Sequence, residues 1–375
     1  MTKLNTLKVW IYLVLIILPS SIFSQHFDKN TKNVFVVTID GLRWQEIFRG
    51  TDSLLIHDIN YTEDTTLTKE LYWEQTEELR RKRLMPFFWN TIAKKGNIYG
   101  NRNFDNQVNV ENLYKISYPG YNEILSGNPD LQIFSNRSRW NRNANILEQL
   151  NETEPYKGHV VAFTSWELFP YILNTKRNQL PLSCGYNKSQ TGSFNDNYRI
   201  SSFQKMISND KCTREDVLTF IEAKDYIIKN HPKVVLLGFG ETDEAAHDKK
   251  YDEYLSHIAM IDKLISELWY FIQTDPNYKN NTSLIITTDH GRGNRTKTWH
   301  KHNMFTKGSE ESWLAVMGPD WLAQGEIKTK QTITQSQLAI TILDLLDQKS
   351  ISSEMNPKII EFPLKYTSDI LTAKR

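Results

Sequence analysis

The sequence predicts an α/β fold: a mainly parallel central sheet with helices on both faces and surface insertions. Three observations carry this expectation. Short continuous apolar runs rich in β-branched residues recur along the chain, as in strands buried on both faces. Stretches with apolar residues at spacings of three and four lie between them, as in helices with one buried face. Acidic and histidine residues cluster just after the strand runs, where ligands bind in open α/β sheets.

The chain opens with Lys3 and Lys8, the apolar run Val9–Leu18, Pro19 and small residues up to Ser24. A basic start, about ten apolar residues and a small residue before the cut make a secretory signal. Residues 1–24 are therefore expected to be removed before Gln25. A membrane anchor needs about twenty apolar residues, and no stretch of the chain supplies them. The expectation is an exported chain, residues 25–375, folded as a single catalytic domain with no transmembrane segment. Its oligomeric state is left open.

Lys plus Arg number 45 and Asp plus Glu 44, a net charge of +1. Loss of Lys3 and Lys8 brings the mature chain to −1. That balance excludes the basic surface that binds nucleic acid by counterion release. Aromatic residues make up 12% of the chain, ample for a packed core. Cys184 and Cys212 are too few for a disulfide scaffold. In an exported chain they either pair across an Asn- and Ser-rich insertion or stay as two thiols.

Asn33–Asp40 reads as the first buried strand, followed by similar runs at His159–Phe163, Val234–Leu237, Leu284–Thr288 and Trp313–Met317. Between them, Asp216–Asn230 reads as a helix that stops before Pro232. Asp252–Thr274 places Ile258, Ile261, Ile265, Leu268 and Phe271 on one face. Thr334–Leu346 is a late apolar helix, and the charged stretch Lys69–Arg83 reads as one solvated helix. Strands alternating with helices imply the parallel sheet.

Three of these strands end in chemistry. The first runs into Asp40-Gly41, the third into Gly238-Phe-Gly-Glu-Thr-Asp243-Glu-Ala-Ala-His247, and the fourth into Asp289-His290-Gly291. A single Asp after a strand is usually a helix cap, but three such strands, two of them adding a histidine, make capping a poor explanation. Asp243 and His247, four apart at a helix start, can face one point. Carboxylate oxygen with imidazole nitrogen suits zinc without cysteine.

This set, with a late histidine, resembles the metal ligands of the alkaline phosphatase superfamily, which includes alkaline phosphatases, nucleotide pyrophosphatase/phosphodiesterases, cofactor-independent phosphoglycerate mutases and sulfatases. The resemblance runs in the family's order from Asp40 to His302 and implies an alkaline-phosphatase-like fold. Ile116-Ser117-Tyr-Pro-Gly-Tyr-Asn-Glu-Ile-Leu-Ser-Gly127 resembles the segment carrying the nucleophile, so Ser117 takes that role. Gly120 and Tyr121 replace an Asn-His pair there. Trp299-His300-Lys301-His302-Asn303 resembles Trp-x-x-His-Gly, which favours His302 over His300 as the last ligand.

The resemblance implies two Zn²⁺, with Mn²⁺ or Mg²⁺ as alternatives. One is assigned Asp40, Ser117, Asp289 and His290, the other Asp243, His247 and His302. Asn141 and Asn143 are candidates, by position only, for an oxygen-binding donor. The partner implied is a small-molecule phosphoester, hydrolysed as a mono- or diester through a phospho-serine. Ser117-Tyr-Pro-Gly-Tyr121 lacks the Arg that a sulfatase needs for formylglycine. A sulfatase-like or phosphotransferase member of the same superfamily, a metal-binding pseudoenzyme, or a binding module are the competing readings. Insertions around residues 50–85 and 165–215 are where leaving-group contacts are expected.

Overall fold

Successive residues of the first strand feed two different cores. Phe35, Val37 and Ile39 belong to one apolar cluster, and Val34 and Val36 to another, as the twofold alternation of a strand covered on both faces requires. The structure, a computed structural model, describes residues 29–186, 213–350 and 352–363. The expected signal segment 1–24 and Cys212 lie outside the described residues, as does 187–212 of the second insertion. Cys184 is buried.

In chain order the strands are β1 (Asn33–Ile39), β2 (Gly96–Tyr99), β3 (Asn106–Asn109), β4 (Val160–Thr164), β5 (Leu182–Cys184), β6 (Val234–Phe239), β7 (Thr282–Thr287), β8 (Glu311–Ser312), β9 (Leu314–Met317), β10 (Gly325–Glu326) and β11 (Gln331–Thr334). Eight of them make one sheet in the order β10-β2-β9-β7-β1-β6-β4-β5; the remainder form a small sheet, β11-β3-β8. The block β7-β1-β6-β4-β5 is parallel throughout.

One expectation needs correction. From sequence the run ending at Met317 reads like the parallel strands, but β9 is antiparallel to both β7 and β2. A parallel return needs a crossover of a dozen or more residues, usually a helix. The chain between β7 and β9 instead folds over the carboxyl edge of the sheet, so Leu314 starts beside Thr287, at the edge where β7 ends.

The helices that matter here are α1 (Trp44–Arg49), α2 (Thr65–Tyr72), α3 (Glu77–Leu84), α4 (Ser117–Ser126), α5 (Asp216–Asn230), α6 (Glu241–His247), α7 (Tyr251–Thr274) and α8 (Gln337–Leu345). Tyr254, Leu255, Ile258, Ile261, Ile265 and Leu268 of α7 join the cluster on one face of the sheet. Tyr121, Ile124 and Leu125 of α4 and Leu338, Ala339 and Ile342 of α8 join the cluster on the other. The stretch 69–83 is two helices and not one. Thr76 accepts the N–H of Leu79 and starts α3, which ends the first helix and costs nothing in buried donors. No helix among the described residues is long and apolar enough to cross a membrane.

Candidate active site

β1, β6 and β7 run side by side and end at one edge of the sheet. The residues that follow them are therefore gathered by the sheet itself. Asp40 follows β1, with its backbone N–H on Phe239 O at 3.0 Å and its carbonyl accepting from Thr242 Oγ1 at 2.6 Å. β6 passes through Gly240 into α6, which carries Asp243 and His247 one turn apart. β7 delivers Asp289 and His290, both wholly buried. Ser117 is the first residue of α4, after an extended Ile116.

His290 stands at the centre. Its Nε2 lies 3.3 Å from Ser117 Oγ, 3.4 Å from Asp289 Oδ2, 3.5 Å from Asp40 Oδ1 and 3.9 Å from Asp243 Oδ1. The His302 ring stacks on it, centroids 3.8 Å apart. His302 Nε2 is 3.8 Å from Asp243 Oδ1 and 3.0 Å from His247 Nε2, and His247 Nε2 is 3.0 Å from Asp243 Oδ2. Ligand atoms thus fall into two overlapping groups, Asp40–Asp289–His290 and Asp243–His290–His302, each compact enough to hold a metal ion.

The donor set fits a cation. Asp40 Oδ1 and Asp289 Oδ2 are buried with no hydrogen-bond partner, an arrangement whose desolvation is costly unless a positive charge accepts those lone pairs. His290 Nδ1 donates to Gly291 O at 3.0 Å and His302 Nδ1 to Lys115 O at 3.2 Å. Each bond fixes the tautomer that leaves Nε2 as a lone pair facing the carboxylates, the backbone support usual for ligating histidines. Burial, then the neighbouring Asp289 charge, pushes the Asp40 carboxyl well above its usual range, and burial pushes Asp289 up to about 7. Burial also lowers His290, and burial followed by His290 holds His302 well below an ordinary histidine. Neutral imidazole is the ligating form.

Two contacts set the spacing of the site. A Cβ at Gly120 would lie 2.4 Å from Asp289 O, so α4 approaches that strand end as closely as backbone allows. Gln335, fully buried ahead of α8, donates from Nε2 to Asp289 O at 2.9 Å and to Gly120 O at 3.4 Å. Tyr121 donates its hydroxyl to Asp40 Oδ2 at 3.2 Å.

Asn141 and Asn143 are buried and turned inward. Asn141 Nδ2 donates to Asn122 Oδ1 and Ile172 O, and Asn143 Nδ2 to Asn122 Oδ1 and Asp130 Oδ2. Their amide donors brace the loop after α4 and are not free for a ligand. Asn136 is the asparagine that reaches the nucleophile turn. Its Oδ1 accepts the N–H of Tyr118 at 2.9 Å, and its exposed amide end has no partner among the described residues. The sequence does not single out Asn136, Arg292 or Gln335, and Tyr121 stands out there only as a departure from the Asn-His pair. Of those three, Arg292, directly after Asp289-His290-Gly291, is the one with a motif to flag it. His300 stays outside both ligand groups, and its carbonyl accepts from Arg292 Nη1 at 2.6 Å.

A family model described as type I phosphodiesterase / nucleotide pyrophosphatase matches residues 60–339. No curated protein matches the chain. Among solved structures, wild-type alkaline phosphatase PafA superposes with a TM-score of 0.57 at 10% identity, over 88% of this chain and 98% of that one. The lipoteichoic acid synthase LtaP from Listeria monocytogenes gives 0.53 at 10% identity, over 87% and 74% of the two chains. BT1596, a 2-O GAG sulfatase, gives 0.52 at 14% identity, over 87% and 72%. At such identities these likenesses speak to the fold, an α/β architecture built as in alkaline phosphatase.

Proposed function

The chain belongs to the type I phosphodiesterase / nucleotide pyrophosphatase family, within the alkaline phosphatase superfamily, and from that premise we propose an exported, zinc-dependent phosphoester hydrolase acting through Ser117. The observation that carries the proposal is the meeting of Ser117 Oγ, Asp40 and Asp289 on His290 Nε2, at 3.3–3.5 Å. Four separate segments of the chain deliver Ser117, Asp40, Asp243 and the Asp289-His290 pair to one point, and two buried carboxylate oxygens there are unpartnered.

In this reading Asp40, Ser117, Asp289 and His290 hold one zinc, and Asp243, His247 and His302 hold the other. Bound there, the ions supply a lowered serine pKa and positive charge for the leaving oxygen. The protein's own part is positioning. Ser117 Oγ forms a bond to phosphorus while the bond to the leaving oxygen breaks, and that oxygen departs with the electron pair. Water then attacks the same phosphorus, the bond to Ser117 breaks, and the serine hydroxyl is restored. Because Ser117 opens a ten-residue helix, the phosphoryl group sits at a positive helix end. Asn136 donates its free amide to a phosphoryl oxygen, the kind of fixed donor that stabilises developing charge. Tyr121 and the Gly41 N–H, 3.0 Å from Asp289 Oδ1, hold the carboxylates in place.

The test uses p-nitrophenyl phosphate, bis-p-nitrophenyl phosphate and p-nitrophenyl sulfate on purified protein, with metal content measured on the same sample. Turnover of either phosphate, with zinc present, is the expected result. Turnover of the sulfate alone would move the chain to the sulfatases, and none with zinc bound would make it a pseudoenzyme. Export is tested separately by the mass of the recovered protein, which reports where its chain begins.

A further inference from the structure

Arg292 is enclosed, at 1% exposure, and its guanidinium is fixed by three other segments of the site. Nε donates to Gly41 O at 3.0 Å, and Nη1 to His300 O at 2.6 Å. Nη2 donates to Asp243 O at 3.3 Å and to the Asp243 carboxylate oxygen Oδ1. Room for it exists because residue 41 is glycine: a Cβ there, at φ +60°, would lie 2.7 Å from Nε and 2.8 Å from Nη2. The turn after β1, α6 and the loop before His302 are thus tied to one guanidinium.

Asp243 Oδ1 is the same atom that lies 3.9 Å from His290 Nε2 and 3.8 Å from His302 Nε2. One oxygen therefore faces both a guanidinium and a candidate cation position. The other position differs. Among the described residues neither Asp40 nor Asp289 lies within ion-pair distance of Lys or Arg, although the Arg292 charge also reaches Asp40, and each keeps one buried oxygen without a partner. Exposure adds to the asymmetry, because the His247 side chain is 51% exposed while that of His290 is 0%.

We infer that Arg292 is a positioning residue that makes the two metal positions unequal: tight at Asp40, Asp289 and His290, weak and exchangeable at Asp243, His247 and His302. The inference rests on the two-metal reading proposed above. Burial lowers the Arg292 guanidinium to about 9, so it stays charged at neutral pH, and in an enclosed site a like charge nearby opposes a divalent ion far more than in water. The same guanidinium holds the ligand segments together before metal arrives, so the weak position stays formed when empty.

The experiment is calorimetric titration of metal-free protein with Zn²⁺, with zinc counted after dialysis. Wild type is expected to bind two ions with dissociation constants at least about tenfold apart, and to keep one on dialysis. Arg292→Met and Arg292→Gln, both neutral, are expected to tighten the weaker event at least about tenfold, whereas Arg292→Lys keeps the gap. His247→Ala is expected to remove the weaker event alone. Two equal sites in wild type overturn the inference. So do folded neutral variants that bind the second ion no tighter, or an Arg292→Lys chain with two equal sites should the neutral variants not fold. Loss of the tighter event in His247→Ala also overturns it. Wild type that takes up no zinc instead overturns the metal-centre reading itself.

Discussion

Gly120 and Asp289 touch through their backbones. A Cβ on residue 120 would fall 2.4 Å from the Asp289 carbonyl oxygen and 3.2 Å from the Asp289 Cβ. The helix that starts at Ser117 and the strand end that carries Asp289 and His290 are therefore set against each other with no side chain between them. The 3.3 Å separation of Ser117 Oγ and His290 Nε2 depends on that contact.

Gly120→Ala inserts one methyl group into the contact and must push α4 away from the strand end. Overpacking of this kind costs about 1–3 kcal/mol of stability. A displacement near 1 Å at a reacting group costs about 10²-fold in rate. Urea unfolding and kcat on a phosphate ester measure the two effects. Wild-type kcat in a folded Gly120→Ala chain would show that the contact does not set the site's geometry.

Gln335 is the second brace on the same contact, since its Nε2 bonds both Asp289 O and Gly120 O. Gln335→Met keeps the volume and leaves the buried Asp289 carbonyl without its Gln335 donor, while Gly120 O keeps its helical partner. Leaving buried acceptors unmade costs about 1–3 kcal/mol. The same substitution is expected to lower kcat while leaving zinc content unchanged. A drop in zinc content as large as the drop in kcat would contradict a purely positional role.

Stability should depend on pH through Asp262, which takes no part in the candidate ligand groups. It is buried and accepts the N–H groups of Phe87 and Phe88 at 2.8 Å each, and burial pushes its carboxyl up to about 7. A carboxyl whose folded pKa is raised stabilises fully below the unfolded value near 3.8, and that contribution is lost as pH rises through 7. Asp262→Asn cannot titrate. The stability advantage of wild type over Asp262→Asn is expected to shrink by roughly 2–3 kcal/mol between pH 5 and pH 8. Urea midpoints of the pair at both pH values measure it, and a constant difference would refute the assignment.

Export gives a mass-based test. The mature protein recovered from the medium or periplasm of a host is expected to begin at Gln25. Recovery of a chain that retains Lys3 and Lys8 would remove the export proposal and leave the chemistry of the site untouched.

Sequence patterning was most informative where structure is local. Asp216–Asn230 forms a helix at the limits its apolar spacing implied, and β1, β6 and β7 appear within two residues of their apolar runs. Asp243 and His247 meet at 3.0 Å because a four-residue interval on a helix is a distance as well as a spacing. What stayed hidden was tertiary. An apolar run states that a strand is buried and not which way it points, so the reversal of β9 depends on how residues 288–313 cross the sheet edge. The break at Trp73 was masked by charge on both sides of it. Gln335 and Asn136 are ordinary polar residues in sequence, and their significance comes from partners 215 and 46 positions away for Gln335 and 18 for Asn136. The Asn141 and Asn143 assignment failed to anticipate that Asn122 and Asp130, both close in sequence, would absorb their donors.

The central claim is that Ser117 carries the phosphoryl group, and the most direct measurement is peptide mass mapping after acid quench. Wild type mixed with a phosphate ester is expected to show the peptide containing Ser117 heavier by one phosphoryl or phosphoester group. Ser117→Ala is expected to show no adduct, to keep its zinc, and to lose at least about 10³-fold in kcat. An unmodified Ser117 peptide during steady turnover, together with near-wild-type kcat in Ser117→Ala, would contradict the account.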